Sequence, residues 1–339
     1  MKSASLRISA LVLAFGVGGA AVAVAQDSEY GTTASPTFNP SAFNQPAFNP
    51  SQLAHPFDLL GPPPLSWKNA SYATGGVALR NRGAGNISVS GFVGPLKAAY
   101  IYWAVIEPNA SGGTIRLQRL FPTVSGVTTL VGAAVGVGPQ PCWIGNTITV
   151  YRAAIPPGLA TGNGSYQVTL LAGAGGSTTG GDPWVAPRVL PLWEGASIVM
   201  IGNGTGTVNL FDVGLAGMTF FPPYSYTLTL TGLISPGGAV LWDNIGADGQ
   251  VGSSRTATDS ASGETTTING VLVAGPGSLQ NLTGDWNGSS GFPLPQLWDD
   301  TGHAFANSAA TPTNTLSITF GPATGQADCL TPVANVVQF

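Results

Sequence analysis

Short runs of alternating hydrophobic and polar residues, each bounded by Gly, Pro, Asn or Ser, cover the chain from Trp67 onward. Side chains of a β-strand point alternately to its two faces, so this alternation predicts strands with one face in a core. Thr, Val, Ile and Tyr, which favour strands, are frequent in these runs. The clearest runs are 87–90, 98–105, 147–151, 166–171, 226–231, 266–273 and 315–320.

Helical patterning is missing from the sequence. No window of eleven or more residues has apolar positions at helical spacing without an interrupting Gly or Pro. A parallel sheet would need crossover helices. We therefore predict an all-β protein with minimal helix, built as an antiparallel β-sandwich or jelly roll. The glycine-rich segment 202–206 predicts a hairpin turn between strands at 198–201 and 208–211.

The N-terminus has the pattern of an export signal. Lys2 and Arg7 precede an apolar run from Ile8 to Ala25 that ends in Ala-Val-Ala, a small-residue pattern that signal peptidases cut. We predict a signal peptide over 1–25, with cleavage between Ala25 and Gln26. An uncleaved membrane anchor is the alternative. Export places the protein in the cell envelope or outside the cell, and no later segment has the length and hydrophobicity of a transmembrane helix.

Residues 26–66 form a Pro-, Asn- and Phe-rich segment with a repeated Phe-Asn-Pro pattern. Pro at this density favours an extended tether, because it blocks helix and central-strand pairing. The repeated Phe is either a docking motif or packs on the protein's own domain. We predict two packed β subdomains beyond the tether, 67–221 and 222–339, and a single β domain is the alternative.

Cys142 and Cys329 are the two cysteines of the chain. In an exported protein a disulfide between them is expected, and it would join the two predicted subdomains. Two buried free thiols are the alternative. Two cysteines without neighbouring histidines do not form a structural zinc site.

The composition excludes several function classes. Charged residues make up 8% of the 339 residues, and the formal net charge is −4. Loss of the leader would remove Lys2 and Arg7 and make the charge more negative. The few cations cannot neutralise a run of phosphates, so nucleic acid is excluded as a partner, and an acidic surface is repelled by anionic lipid.

Catalytic motifs are scarce. The two histidines, His55 and His303, offer at most one ordered candidate for a triad or a metal site, and the sequence has no nucleophile elbow, metalloprotease motif or phosphate-binding loop. A pair of carboxylates could still support glycoside hydrolysis. The candidates are Asp243, Asp248, Asp285, Asp299 and Asp300, and their spacing selects no pair among them.

No cofactor is predicted, with calcium as the one alternative. The segment 243–250 is rich in carboxylate and amide oxygens and in glycine, which suits a calcium loop ligated by Asp243 and Asp248. A hairpin turn at Asp248-Gly249 explains the same residues without a metal.

The chain has eight tryptophans. Trp103 lies inside an apolar run and is predicted to be in the core. Trp184, Trp286 and Trp298 lie among Gly, Asp and Pro, which predicts exposed loop positions, where flat aromatic faces could bind carbohydrate.

Several short motifs occur in a recognisable order. They are Lys97–Trp103, Thr207–Asp212, Gln296–Asp300, Asp328–Leu330 and Val333–Val336. This order resembles an uncharacterised family of exported bacterial surface modules found in adhesin-like and cell-envelope proteins. The chain departs from the family pattern at 194–201 and at Val213, where a glycine is expected. The resemblance implies a β-sandwich at the cell surface and transfers no catalytic residue.

Together these observations favour a non-enzymatic secreted or cell-envelope β protein with a structural, adhesion or ligand-binding role. Its partners would be carbohydrate or a surface protein, with self-association through sheet edges as a further expectation. A secreted polysaccharide hydrolase with paired carboxylates is the alternative. The C-terminal Phe339 also suggests an outer-membrane β-barrel, but the alternating runs are short for lipid-spanning strands.

Overall fold

A computed structural model describes residues 64–80, 82–107, 112–139, 146–171, 190–212, 225–231, 238–247, 264–275, 277–279, 284–288, 298–306, 313–320 and 331–339. All of them belong to one compact unit that spans 44–339. The described residues form strands and no helix, so none of them belongs to a membrane-spanning helix. The prediction of an all-β fold is confirmed.

Sixteen strands occur in the described ranges. The first eight are β1 (Leu65–Ala78), β2 (Ala84–Val89), β3 (Leu96–Glu107), β4 (Thr114–Phe121), β5 (Thr128–Val131), β6 (Ala133–Pro139), β7 (Thr147–Ala154) and β8 (Gly164–Leu170). The other eight are β9 (Leu192–Asp212), β10 (Ser225–Thr231), β11 (Ala239–Ala247), β12 (Glu264–Ile268), β13 (Val271–Ala274), β14 (Trp298–Ala306), β15 (Thr313–Phe320) and β16 (Thr331–Gln338).

The strands form three antiparallel sheets. The large sheet has the order β14-β11-β16-β9-β3-β7-β6, with β1 also paired to β9. Two four-stranded sheets have the orders β2-β8-β4-β5 and β10-β15-β12-β13. The pairing of β9 with β16 carries the large sheet across the predicted subdomain boundary at 221/222.

Strand β3 is buried on both faces and explains how the layers are stacked. Its odd-numbered residues Ile101, Trp103 and Val105 lie in one hydrophobic core, which also holds side chains of β2, β4 and β8. Its even-numbered residues, such as Tyr102 and Ile106, lie in a second core with side chains of β11, β14 and β16. The alternating side chains of this one strand thus pack in two separate cores.

The large sheet folds back on itself around the second core. Trp298, on β14 at one end of the hydrogen-bonded order, packs against Gly76 of β1 and Gly195 of β9. A Cβ at Gly195 would lie 2.4 Å from the Trp298 ring, so glycine is required for this close approach. This contact brings β11 and β14 against the face of β1 and β9.

Two local predictions are wrong. The expected turn at 202–206 lies within the single long strand β9, where Ala70 pairs with both Asn203 and Gly206 in an irregular bulge. The expected strand at 266–273 is instead the hairpin β12–β13. Its turn residues Asn269 and Gly270 have φ values of 52° and 79°, and this left-handed backbone suits an Asn-Gly turn.

Candidate functional site

Two of the predicted carboxylates, Asp243 and Asp300, lie on the same face of the β11–β14 pair. In that pair Asp243 is opposite Gly302, and Ile245 is opposite Asp300, so the two aspartates are diagonal neighbours. Diagonal neighbours on one face of a sheet are close enough for charged side chains to interact. Folding therefore selects a pair that spacing along the sequence did not.

Strands β1 and β9 supply the other side of this cluster. Tyr72 and Thr74 share the face of β1 that meets the second core, and Ser197 is buried on β9. We name the group of Tyr72, Thr74, Ser197, Asp243 and Asp300 the Asp243–Asp300 cluster. It lies between the two layers of the folded-back sheet. Residues two apart on a strand share a face, and this alternation puts the members of the cluster on the faces that meet.

The Asp243 carboxylate is held by a direct hydrogen bond. Thr74 Oγ1 donates to Asp243 Oδ2 at 2.8 Å. Gly302 makes room for the other oxygen, because a Cβ at that position would lie 2.2 Å from Asp243 Oδ1. The carboxylate is therefore fixed by a hydroxyl from another strand and by a glycine directly across the ladder.

Burial sets the protonation of this pair. Burial, and then the neighbouring charge of Asp243, raise the pKa of Asp300 to about 7. Burial also raises the pKa of Asp243, against hydrogen bonds from Thr74 and Tyr72 and the charge of His303. Since both carboxyl groups resist ionisation, the pair retains a proton near neutral pH.

Tyr72 and Asp300 are both more stable in their neutral forms. Burial and the proximity of Asp243 raise the pKa of the Tyr72 phenol, which stays protonated and acts as a donor. Both carboxylate oxygens of Asp300 are shielded from solvent. Loss of hydration disfavours the charged form, and this effect outweighs the opposing interactions with Thr74 and Ser197, in agreement with the raised pKa.

A second polar cluster lies on the opposite face of β11 and β14. His303 Nε2 lies 2.7 Å from Asp285 Oδ2, and the imidazole ring lies 5.5 Å from the Trp242 ring. Trp242 Nε1 donates to Asn335 Oδ1 at 2.8 Å. Thr301 Oγ1 donates to the Asp285 backbone carbonyl at 3.0 Å, which ties segment 284–288 to β14.

The predicted exposure of two tryptophans is wrong. Trp286 and Trp298 are 1% and 0% exposed. Trp298 Nε1 donates to Ser197 Oγ at 2.9 Å, and the Trp286 ring lies where a Cβ of Gly246 would be. Glycines and polar side chains of other strands, not the sequence neighbours that suggested loops, provide the space and the hydrogen-bond acceptors for these buried indoles.

Asp243 is also not a loop residue. It lies inside β11, which continues to Ala247. The predicted calcium partner Asp248 lies outside the described residues, as do Trp184, Cys142 and Cys329. Within the described ranges, no three His, Cys, Asp or Glu side chains gather as a metal-binding group.

The other two predicted carboxylates in the described ranges, Asp285 and Asp299, make different contacts from the pair. Asp285 belongs to the His303 cluster, and Asp299 Oδ1 accepts a 3.0 Å hydrogen bond from the Asn287 backbone N–H. Sequence reasoning missed Tyr72, Thr74 and Ser197. The available signal was polar residues at period-two positions of otherwise apolar strands, which marks buried polar groups without identifying their partners.

Other buried charges are paired across strands. Arg80 donates to Glu194, and both side chains are almost completely buried. Arg152 donates to Asp212 Oδ2, while Tyr102 Oη donates to Asp212 Oδ1 at 2.7 Å. The few charged residues of this chain are thus used in part to join strands inside the fold.

Comparisons with known proteins give no family. No protein-family model matches the sequence, and neither does any curated protein. Among solved structures, a β-porphyranase of glycoside hydrolase family 86 from the human gut bacterium Bacteroides plebeius is 12% identical, with a TM-score of 0.23 over 77% of this chain and 35% of the enzyme. BuGH86 in complex with neoagarooctaose is 8% identical, with a TM-score of 0.21 over 81% of this chain and 32% of that one.

The chain spans about a third of the length of these enzymes. At such TM-scores the likeness carries no argument about fold or activity.

Proposed function

We propose that this chain is an exported, non-enzymatic β-sandwich protein of the cell envelope, with a structural or adhesion role. The supporting observation is that residues which would otherwise indicate sugar binding or catalysis make their contacts inside the protein. Asp243 is half-buried and accepts a hydrogen bond from Thr74 on another strand. The indoles of Trp286 and Trp298 are buried and are used for packing and for hydrogen bonds inside the protein.

The low charge and the predicted leader agree with this role. Charged residues make up 8% of the chain, and some of them are used in internal pairs such as Arg80–Glu194 and Arg152–Asp212. The resemblance to exported surface modules points in the same direction. A rigid core that uses its polar groups internally suits a protein whose function lies on its outer surface.

Expression of the full chain in a bacterium tests the proposed location. We expect loss of residues 1–25 on export, and we expect added protease to cleave the protein on intact cells or in the medium. A variant in which Ala23 and Ala25 are replaced by Leu removes the predicted cleavage site and is the control. A protein that stays inside the cell with its N-terminus intact would contradict the proposal.

A polysaccharide hydrolase is the second candidate, and one observation favours it. The Asp243–Asp300 pair includes a carboxyl group whose pKa is about 7, a value that suits a general acid. Release of reducing ends from a polysaccharide panel would show this activity. A hydrolase would lose it in both the Asp243→Asn and Asp300→Asn variants, whereas the proposed structural role predicts no release by any of the proteins.

A further inference from the structure

Three connections lie together at one end of the β2-β8-β4-β5 sheet. β2 ends at Val89, opposite Gly164, where β8 begins, and β4 ends at Phe121, opposite Ser165. The connections that follow β2 and β4 and precede β8 therefore leave the sheet at the same end. We name residues 90–95, 121–127 and 155–163 the apolar tip.

The apolar tip exposes large hydrophobic side chains. Val93, Phe121, Val124 and Val127 are 56%, 65%, 70% and 59% exposed. The three segments contain no Asp, Glu, Lys or Arg. A charged group meets them: the Arg119 guanidinium donates from Nε to the Thr123 carbonyl at 3.0 Å and from Nη2 to Thr123 Oγ1 at 2.7 Å. Single exposed hydrophobic residues are common on protein surfaces, but a group of them at one end of a sheet marks an interaction surface.

Several polar backbone groups of the tip are bonded within the protein. The Phe92 N–H donates to Asn163 Oδ1 at 2.7 Å, and Asn163 Nδ2 donates back to the Phe92 carbonyl at 3.1 Å. Gln118 Nε2 donates to the Ser125 carbonyl at 2.9 Å. Four tip residues are prolines, which have no N–H to satisfy: Pro95, Pro122, Pro156 and Pro157.

These bonds have two consequences. They hold the connections in one conformation, so the exposed side chains are presented without a large ordering cost on binding. They also allow these parts of the connections to enter an apolar medium without leaving the bonded groups unpaired, which hydrocarbon requires more strictly than a wet protein interface.

We propose that the apolar tip inserts into the interfacial region of a lipid bilayer with neutral, zwitterionic headgroups. The four side chains lie at the end of a sheet, one on the last residue of β4 and three on the connections, an arrangement that suits insertion. The acidic net charge of −4 disfavours an anionic lipid surface. Zwitterionic headgroups carry no net charge that would repel the protein, and the tip, which meets the Arg119 guanidinium at Thr123, holds no acidic residue. The proposal deepens the envelope function and rests on it for the compartment.

Flotation with phosphatidylcholine vesicles tests the proposal on the purified chain that begins at Gln26. The test variant carries Phe121→Ser and Val124→Ser. The matched control carries Val271→Ser and Leu279→Ser, which change residues that are 65% and 102% exposed and lie outside the tip. Equal urea midpoints for the three proteins would show that both variants are folded.

We expect the wild type and the control to float with the vesicles and the tip variant to lose at least about tenfold in partition coefficient, because two inserted hydrophobic side chains are removed. Raised salt should leave the partition unchanged. Absence of wild-type flotation, or equal losses in the tip variant and the control, would overturn the proposal.

Sedimentation of the same proteins without lipid tests the competing hypothesis, in which the apolar tip binds a second copy of the chain. A dimer that is lost in the tip variant, together with no flotation of the wild type, would make the tip a protein contact and overturn the lipid proposal. Because the assay uses purified protein, failure of export in a cell and failure of vesicle binding are separate results.

Discussion

Trp298 Nε1 donates a 2.9 Å hydrogen bond to Ser197 Oγ, and both side chains are buried. The two residues lie on β14 and β9, which are not paired with each other. The bond therefore fastens the two layers of the folded-back large sheet beside the Asp243–Asp300 cluster.

Replacement of Asp300 by Asn should change how stability depends on pH. Burial raises the pKa of Asp300 from 3.8 to about 7, so the folded chain binds this proton more tightly than the unfolded chain. The contribution of Asp300 to the free energy of unfolding should therefore be greatest below about pH 4. Up to about 4 kcal/mol of it should be lost as the pH rises to about 7. Urea unfolding at pH 5 and pH 8 should show a smaller loss in the variant.

Asp212 is a useful control, because its carboxylate is held by hydrogen bonds inside the fold. Its carboxylate accepts hydrogen bonds from Tyr102 and Arg152, so Asp212→Asn should destabilise the protein at both pH values. A steeper pH dependence in Asp300→Asn than in the wild type would contradict the assignment of a raised pKa to Asp300.

Thr74→Val should destabilise the fold by about 1–2 kcal/mol, because it removes the donor to the half-buried Asp243 Oδ2. The urea midpoint measures the change, and Thr129→Val on the exposed face of β5 is the matched control. An equal, small effect in both variants would show that the hydrogen bond to Asp243 contributes little.

Gly195→Ala should cost about 1–3 kcal/mol through overpacking, since the new Cβ would lie 2.4 Å from the Trp298 ring. A melting curve and near-ultraviolet circular dichroism, which reports on packed indoles, measure the effect. Gly126→Ala is the control, because no atom lies within 4 Å of a Cβ at that position. Unchanged melting of Gly195→Ala would mean that the two layers can move apart without cost.

Reduction of the predicted Cys142–Cys329 disulfide should lower stability by as much as about 4–5 kcal/mol, because the bond would close a long loop in the unfolded chain. Thiol titration of the denatured, unreduced protein should find no free thiol. A double Cys→Ser variant should melt at the temperature of the reduced protein, whereas two reactive thiols in the untreated protein would disprove the bond.

The all-β class was predictable because alternation is a local property of the sequence. The run 98–105 shows how far this information extends, since its alternation predicts a strand but not that the strand is buried on both faces. The same limit explains the wrong turn at 202–206. Glycines there suggested a hairpin, but pairing with the distant strand β1 keeps β9 continuous through a bulge.

The sequence by itself determined the strand-rich class, the lack of helical patterning and the scarcity of catalytic histidine. Only the tertiary structure decided which aspartates meet, because the pairing of Asp243 and Asp300 depends on the register of β11 and β14. The burial of Trp286 and Trp298 likewise depends on glycines of other strands. Local alternation fixes which face a side chain occupies, whereas long-range register and the folding back of the sheet fix what that face contacts.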